Sequence, residues 1–306
     1  MKVAIIGRTE VLYDTALRLR EAGHDIVCIL TAKEAPEYAR TDADFRELAA
    51  SWGIPFAQGA KIIDHADFLA SARADIAVSI NFTGVVPQSV IDLFPFGVLN
   101  AHGGDLPRYR GNACQAWAIL NGEERIGLCI HRMIGGELDS GDIITRDYLP
   151  IDMRTKITAV WKWIAKQTPA LMLEAVSRLS ADPSYVLEVQ SQDPSKALRC
   201  YPRRPEDGLI DWNAPAAGVL RLVNASNRPY PGAFTFLDGE KVIVWDAELV
   251  DDGELSLAVP GQVTKITERF VEVACRTGKI RLLEVEVNKA VCSPASRITS
   301  IRKRLG

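Results

Sequence analysis

The chain has 306 residues, with 36 Lys and Arg against 39 Asp and Glu, four His, and 47% apolar against 25% charged residues. That length suits two domains, and the composition excludes disordered and fibrous classes. Residues 1–200 carry 21 basic and 25 acidic side chains and residues 201–306 carry 15 and 14. Neither part has the basic excess of a phosphate-backbone binder, so a large nucleic-acid partner is disfavoured. The opening MKVAIIGRTEVLYDT is too short in its apolar run for a signal-peptide core, and no stretch approaches the roughly eighteen apolar residues of a membrane span. The six cysteines (Cys28, Cys114, Cys129, Cys200, Cys275, Cys292) form no CxxC pair and have no His at ligand spacing. Reduced thiols in a cytoplasmic protein without a metal site are the expectation.

Short apolar runs alternate with amphipathic stretches over the first 150 residues, the pattern of a parallel sheet with crossover helices. Strands are predicted at Val3–Ile6, Asp25–Leu30, Ile54–Ala57, Asp75–Asn81, Gly97–His102, Arg125–Met133 and Ile143–Leu149. Helices are predicted at Glu10–Ala22, Phe45–Trp52, Pro87–Leu93, Ala113–Asn121 and Lys156–Leu179, the last with Pro169 as a possible kink. Residues 182–200 have two Asp-Pro steps and weak periodicity and read as a linker between a domain at 1–181 and one at 201–306. After a short helix at Ala214–Ala225, the second domain reads as turn-punctuated strands: Ala233–Leu237, Lys241–Ala247, Gly261–Ile266, Phe270–Cys275 and Ile280–Glu286. Asp238-Gly239 and Thr277-Gly278 stand where hairpin turns are needed. A Rossmann-like α/β domain followed by a small OB-like β-barrel is the predicted architecture.

A leading strand–helix unit invites a nicotinamide cofactor, which requires glycines where backbone approaches pyrophosphate. Here the first turn reads Gly7-Arg8-Thr9-Glu10, lacking the later glycines and placing a carboxylate near the phosphate position. A Walker A loop is absent as well. The dense region lies instead at Phe96–Asp142. Asn100 and His102, two residues apart at the carboxyl end of a predicted strand, share one side of it, and strand carboxyl ends are where open α/β sheets place ligands. Gly103-Gly104 lets the chain turn sharply, and Leu106-Pro107-Arg108-Tyr109-Arg110-Gly111 follows. Asp139, in the loop Gly135–Asp142, is a candidate partner for the His102 imidazole. Asp142 fits a structural role better. His131 and Cys129 read as strand side chains, and Cys114 as a helix residue.

These features together resemble the N10-formyltetrahydrofolate-dependent formyltransferase family: N-x-H, L-P-x-Y-R-G, the W-A-I-L-N-G-E helix end and L-D-S-G-D. Tyr201–Trp212 and Arg228–Phe234 are similar to the start of that family's C-terminal barrel, as in the two-domain methionyl-tRNA formyltransferases. The resemblance implies that Asn100, His102 and Asp139 are catalytic, with Asn100 and His102 donating to a tetrahedral oxyanion and Asp139 favouring the imidazolium. It implies that N10-formyltetrahydrofolate is the formyl donor, bound along Phe82, Gly84, Val85 and Val86 and along Gly136, Glu137 and Leu138. It also implies a homodimer.

Two departures bear on the acceptor amine. Methionyl-tRNA formyltransferases carry a basic, glycine-containing insertion after the second strand, whereas Thr31–Asp44 here has more acids than bases. They also read H-P-S-L-L-P where this chain reads His102-Gly103-Gly104-Asp105-Leu106-Pro107, more like the enzymes that formylate nucleotide-linked amino sugars for lipopolysaccharide. The expected substrate is such a sugar, its diphosphate met by Arg108 or Arg110 and its base stacked on Tyr109 or Trp117, although Trp117 also reads as core. Methionyl-tRNA formylation, hydrolysis of 10-formyltetrahydrofolate and a non-catalytic folate-binding module are the alternatives.

Overall fold

The apolar run at the N-terminus becomes an interior strand with Val3, Ala4, Ile5 and Ile6 fully buried. The computed structural model describes residues 1–36, 38–251, 253–254 and 257–306 and divides the chain into two units. One comprises Met1–Gly111, Ile126–Leu149 and Lys162–Cys200; the other comprises Asn112–Arg125, Pro150–Trp161 and Tyr201–Gly306. Among the described residues no helix is long and apolar enough to cross a membrane.

In chain order the elements up to the linker region are β1 (Lys2–Gly7), α1 (Glu10–Glu21), β2 (Asp25–Thr31), α2 (Asp42–Trp52), β3 (Phe56–Gln58), α3 (Ala66–Ser71), β4 (Ile76–Ile80), α4 (Gln88–Ile91), β5 (Val98–His102), β6 (Tyr109–Gly111), α5 (Cys114–Asn121), β7 (Arg125–Arg132), β8 (Ile143–Pro150), α6 (Ile157–Ala181) and β9 (Leu198–Cys200). The first unit's main sheet runs β3-β2-β1-β4-β5-β7-β8. The β3-β2-β1-β4-β5 part is parallel, and β7 joins β5 antiparallel. The predicted strands and helices are present, with β3 starting at Phe56 rather than Ile54. α4 is shorter than the Pro87–Leu93 reading, and α2 starts earlier, at a capping box in which Thr41 and Asp44 satisfy each other's backbone. Glu37, in the acidic stretch after β2, lies outside the described residues.

The sequence reading missed α3, β6 and β9, and in the second unit the short strand Ala290–Cys292. β6 and β9 pair parallel as a separate two-stranded sheet. β9 lies in the segment read as a linker, where Ile143 also bridges Glu188 and Gln190 is only 2% exposed.

The second unit contains α7 (Ala216–Ala225) and β10 (Ala233–Leu237), β11 (Glu240–Leu249), β12 (Val263–Ile266), β13 (Val271–Ala274), β14 (Lys279–Val287) and β15 (Ala290–Cys292). Its antiparallel sheet runs β10-β11-β14-β13-β12, with β15 on β14. The C-terminal tail spans the remaining seam: Leu305 N donates to Gly261 O near β12, and Gly306 N to Phe236 O on β10. Inside lie Val219, Val223, Val244, Val273, Ile280 and Leu282, all nearly inaccessible to water. Asp238 and Gly239 both take positive φ (51° and 85°), as a tight two-residue hairpin requires.

Candidate active site

β5 delivers Asn100 and His102 to the same side of the sheet, two residues apart. β7 runs antiparallel beside it, setting Asn100 opposite His131 and His102 opposite Cys129. The loop between β7 and β8 then brings in Asp139. His102 Nδ1 lies 3.5 Å from Asp139 Oδ2, and His131 Nε2 lies 3.4 Å from Asp139 Oδ1. Asn100 Nδ2 is 3.2 Å from His131 Nε2. The three residues singled out by sequence are thus gathered together, with His131 as a fourth member. Its place opposite Asn100 depends on the β5–β7 register, which sequence alone does not contain.

The hydrogen bonds settle much of the proton placement. His102 Nε2 is 2.8 Å from the Tyr109 carbonyl, which can only accept, so Nε2 carries a proton. Burial pushes the His102 pKa below its ordinary value of 6.5, outweighing the opposing pull of Asp139. Nδ1 is the ring nitrogen turned to the carboxylate. Asp139 favours the imidazolium, and the burial of His102, which is 7% exposed, works against it. For Asp139 the balance reverses. Burial pulls its carboxyl upward, but His102, His131 and the Gly111 N–H, which donates to Oδ2 at 2.9 Å, hold it below the usual carboxylate range.

Asp139 also has a left-handed backbone (φ 50°), uncommon for a residue with a side chain and frequent where structure is dictated by a site. Gly111, with φ 108°, has no room for a Cβ, which would stand 2.4 Å from the Cys200 carbonyl oxygen. Its N–H reaches Asp139 because only glycine permits that approach.

The predicted donor-binding residues divide. Gly84, Val85 and Gly136 line a cleft of about 600 Å³ together with Lys61, Ile62, Ile63, Gln88 and others. Val85 is exposed, whereas Val86 is buried and packs with Phe82 into the core. Glu137 accepts from Ser140 Oγ, and Leu138 packs close to Gly111. Ile62 and Ile63, missed by the sequence reading, fall in a helical turn with no motif to mark it.

Of the predicted substrate-binding residues, Arg108 is exposed and Tyr109 is 2% exposed, leaving little ring surface for a nucleotide base. Arg110 turns to Gln190 Oε1 (2.9 Å) and the Ser191 carbonyl (3.1 Å). Trp117 is half-buried and donates to the Tyr201 carbonyl. The Cys129 thiol is pushed up by burial and bonded to Gly104 O, an inert arrangement for a nucleophile. At the first turn, Arg8 binds the Lys33 and Asn81 carbonyls. Among the described residues no cluster of three or more His, Cys, Asp or Glu is arranged to hold a metal ion.

Residues 1–176 match the formyl transferase family, and residues 203–302 match the formyl transferase C-terminal domain. The chain is 30% identical to the methionyl-tRNA formyltransferase of Geotalea uraniireducens over 294 residues (94% of this chain, 90% of that one). It is 28% identical to that of Lachnospira eligens over 295 residues (94% and 92%). Its fold matches an N-formyltransferase from Helicobacter canadensis, solved with folinic acid and dTDP-3-aminofucose, at a TM-score of 0.68, with 15% identity, 92% of this chain and 99% of that one covered. With both segments of the chain matched, and a relative of 30% identity aligned along nearly its whole length, this protein belongs to the formyl transferase family.

Proposed function

We propose that the protein transfers the formyl group of N10-formyltetrahydrofolate to the amine of a nucleotide-linked amino sugar, at Asn100, His102 and Asp139. The observation that carries the catalytic part is the buried contact of His102 Nδ1 with Asp139 Oδ2 at 3.5 Å, with Asn100 on the same strand.

Attack of the amine nitrogen on the formyl carbon forms a tetrahedral oxyanion and leaves an extra proton on the attacking nitrogen. The Asn100 amide donates to the oxyanion, a role whose loss costs about 2.7–4 kcal/mol of barrier stabilisation in comparable sites. The His102–Asp139 pair takes up the proton, with the Asp139 carboxylate stabilising the imidazolium. The proton then passes to N10 as the carbon–N10 bond breaks, giving tetrahydrofolate and the formamide, with no net change at the protein.

The cleft at Ile62, Ile63, Gly84, Val85 and Gly136 fits the donor in kind. Its volume of about 600 Å³ falls in the ordinary range for small-molecule sites, and it combines apolar side chains with accessible backbone. It shares the Gly135–Asp139 loop with the catalytic carboxylate.

The acceptor rests on the acidic character of residues 31–44 and on Gly103 following His102. An N-formyltransferase of the same fold was solved with dTDP-3-aminofucose. The second reading, methionyl-tRNA as acceptor, is favoured by the curated relatives at 28–30% identity.

Release of tetrahydrofolate with and without an amino-sugar nucleotide tests the reaction class. Amine-dependent release is expected. Equal release without amine would make the protein a hydrolase, and no release with any amine would make it a binding module. His102→Ala is expected to abolish transfer in a protein with an unchanged circular dichroism spectrum; retained activity contradicts the assigned roles.

A further inference from the structure

Gln190 belongs to the segment that reads as a linker, yet it is 2% exposed and every polar hydrogen of its amide is used. Nε2 donates to the Asp139 carbonyl at 3.0 Å and to the Gly141 carbonyl at 2.6 Å. Oε1 accepts from Arg110 Nη2 at 2.9 Å. With carbonyls at one end and a guanidinium at the other, the amide has only one orientation that satisfies all three contacts.

These contacts converge on one residue. Arg110 and Gly111 are neighbours on β6. The Gly111 N–H holds the Asp139 carboxylate, while Arg110 holds the Gln190 amide that grips the Asp139 backbone. β6 is itself fixed by pairing with β9, whose residues follow Gln190 by a few positions. Asp139 is thus clamped by side chain and main chain together, in a left-handed conformation uncommon for any residue but glycine.

Resting on the formyl-transfer reading above, we propose that Gln190 and Arg110 are positioning residues for the reaction, which hold Asp139 at its distance from His102 without touching either substrate. On this account Arg110 serves the catalytic loop rather than a substrate diphosphate. Gln190 is irreplaceable by apolar residues because the Asp139 and Gly141 carbonyls would lose its amide and the guanidinium would keep only the Ser191 carbonyl of its two acceptors. It is equally ill served by Glu, which cannot donate to the carbonyls.

The groups facing the His102 ring are Asp139 from the β7–β8 loop, His131 from β7 and the Tyr109 carbonyl from β6. Asp139 pulls the His102 titration upward and His131 pushes it down. Releasing Asp139 must therefore move the titration to lower pH.

The test compares Gln190→Met and Gln190→Glu with the native protein. The expected result is a fall in kcat of tenfold or more with the KM for the folate donor little changed, and an acid limb of kcat/KM displaced to lower pH. In an Asp139→Asn background, Gln190→Met should have little further effect on kcat, because the group it positions is already gone. Equal losses in both backgrounds, or a lowered melting temperature with unchanged kcat and pH profile, would overturn the proposal. Should the native protein transfer no formyl group, the functional reading fails. The positioning claim is then decided by NMR titration of His102 in folded native and Gln190→Met protein. A downward shift supports it, and identical curves refute it.

Discussion

Asn100 and Asp139 both contact His131, and Asp139 also contacts His102, yet their removal should have different signatures. Asn100→Ala removes a donor needed only as negative charge develops, so kcat is expected to fall by about 10²–10³ with the donor KM nearly unchanged. Steady-state kinetics with the folate varied will check this. His102 must be neutral to accept a proton, and its pKa is held below 6.5 by burial. The acid limb of kcat/KM is therefore expected below pH 6.5. Asp139→Asn removes the charge that pulls that titration upward, so the residual activity of this variant should persist to lower pH than the native profile. A limb at or above pH 7, or one that rises in the variant, would contradict the sign of the balance.

At the scale of elements, the sheet and the second unit's hairpins were legible because burial leaves a period in the sequence: Val3–Ile6 has no polar interruption, and Asp238-Gly239 marks a turn by its backbone needs alone. β6 and β9 were not, since three-residue strands carry no period and their pairing joins Tyr109–Gly111 to Leu198–Cys200 across nearly ninety positions. The same limit hid Gln190 and His131. Asn100, His102 and Asp139 were legible through spacing and motif, but His131 matters through a cross-strand register and Gln190 through a long-range contact. Arg110 was singled out as a cation, and only its partners redirect it. Gly111→Ala tests this level directly. A Cβ there meets the Cys200 carbonyl and disfavours the backbone that aims the Gly111 N–H at Asp139. The expected outcome is at least a tenfold loss of kcat together with weakened protection of the β6–β9 amides in hydrogen exchange. Native exchange and native kcat would show that the approach is not needed.

Across the whole molecule, length and charge were read first and constrain the acceptor most. The formyl transferase family accounts for both segments of the chain, but the family's fold does not choose among amines. The chain has a near balance of charge and an acidic stretch at residues 31–44, whereas tRNA binding through that region would need basic residues. Transfer to a nucleotide-linked sugar should accordingly depend only weakly on salt, whereas a tRNA acceptor would give a steep decline as salt is raised. The most direct test is kcat/KM for a panel of amino-sugar nucleotides measured beside initiator methionyl-tRNA, with N10-formyltetrahydrofolate as donor. At least one sugar nucleotide is predicted to exceed the tRNA by a hundredfold or more; efficient formylation of methionyl-tRNA with no turnover of any sugar nucleotide would contradict the account.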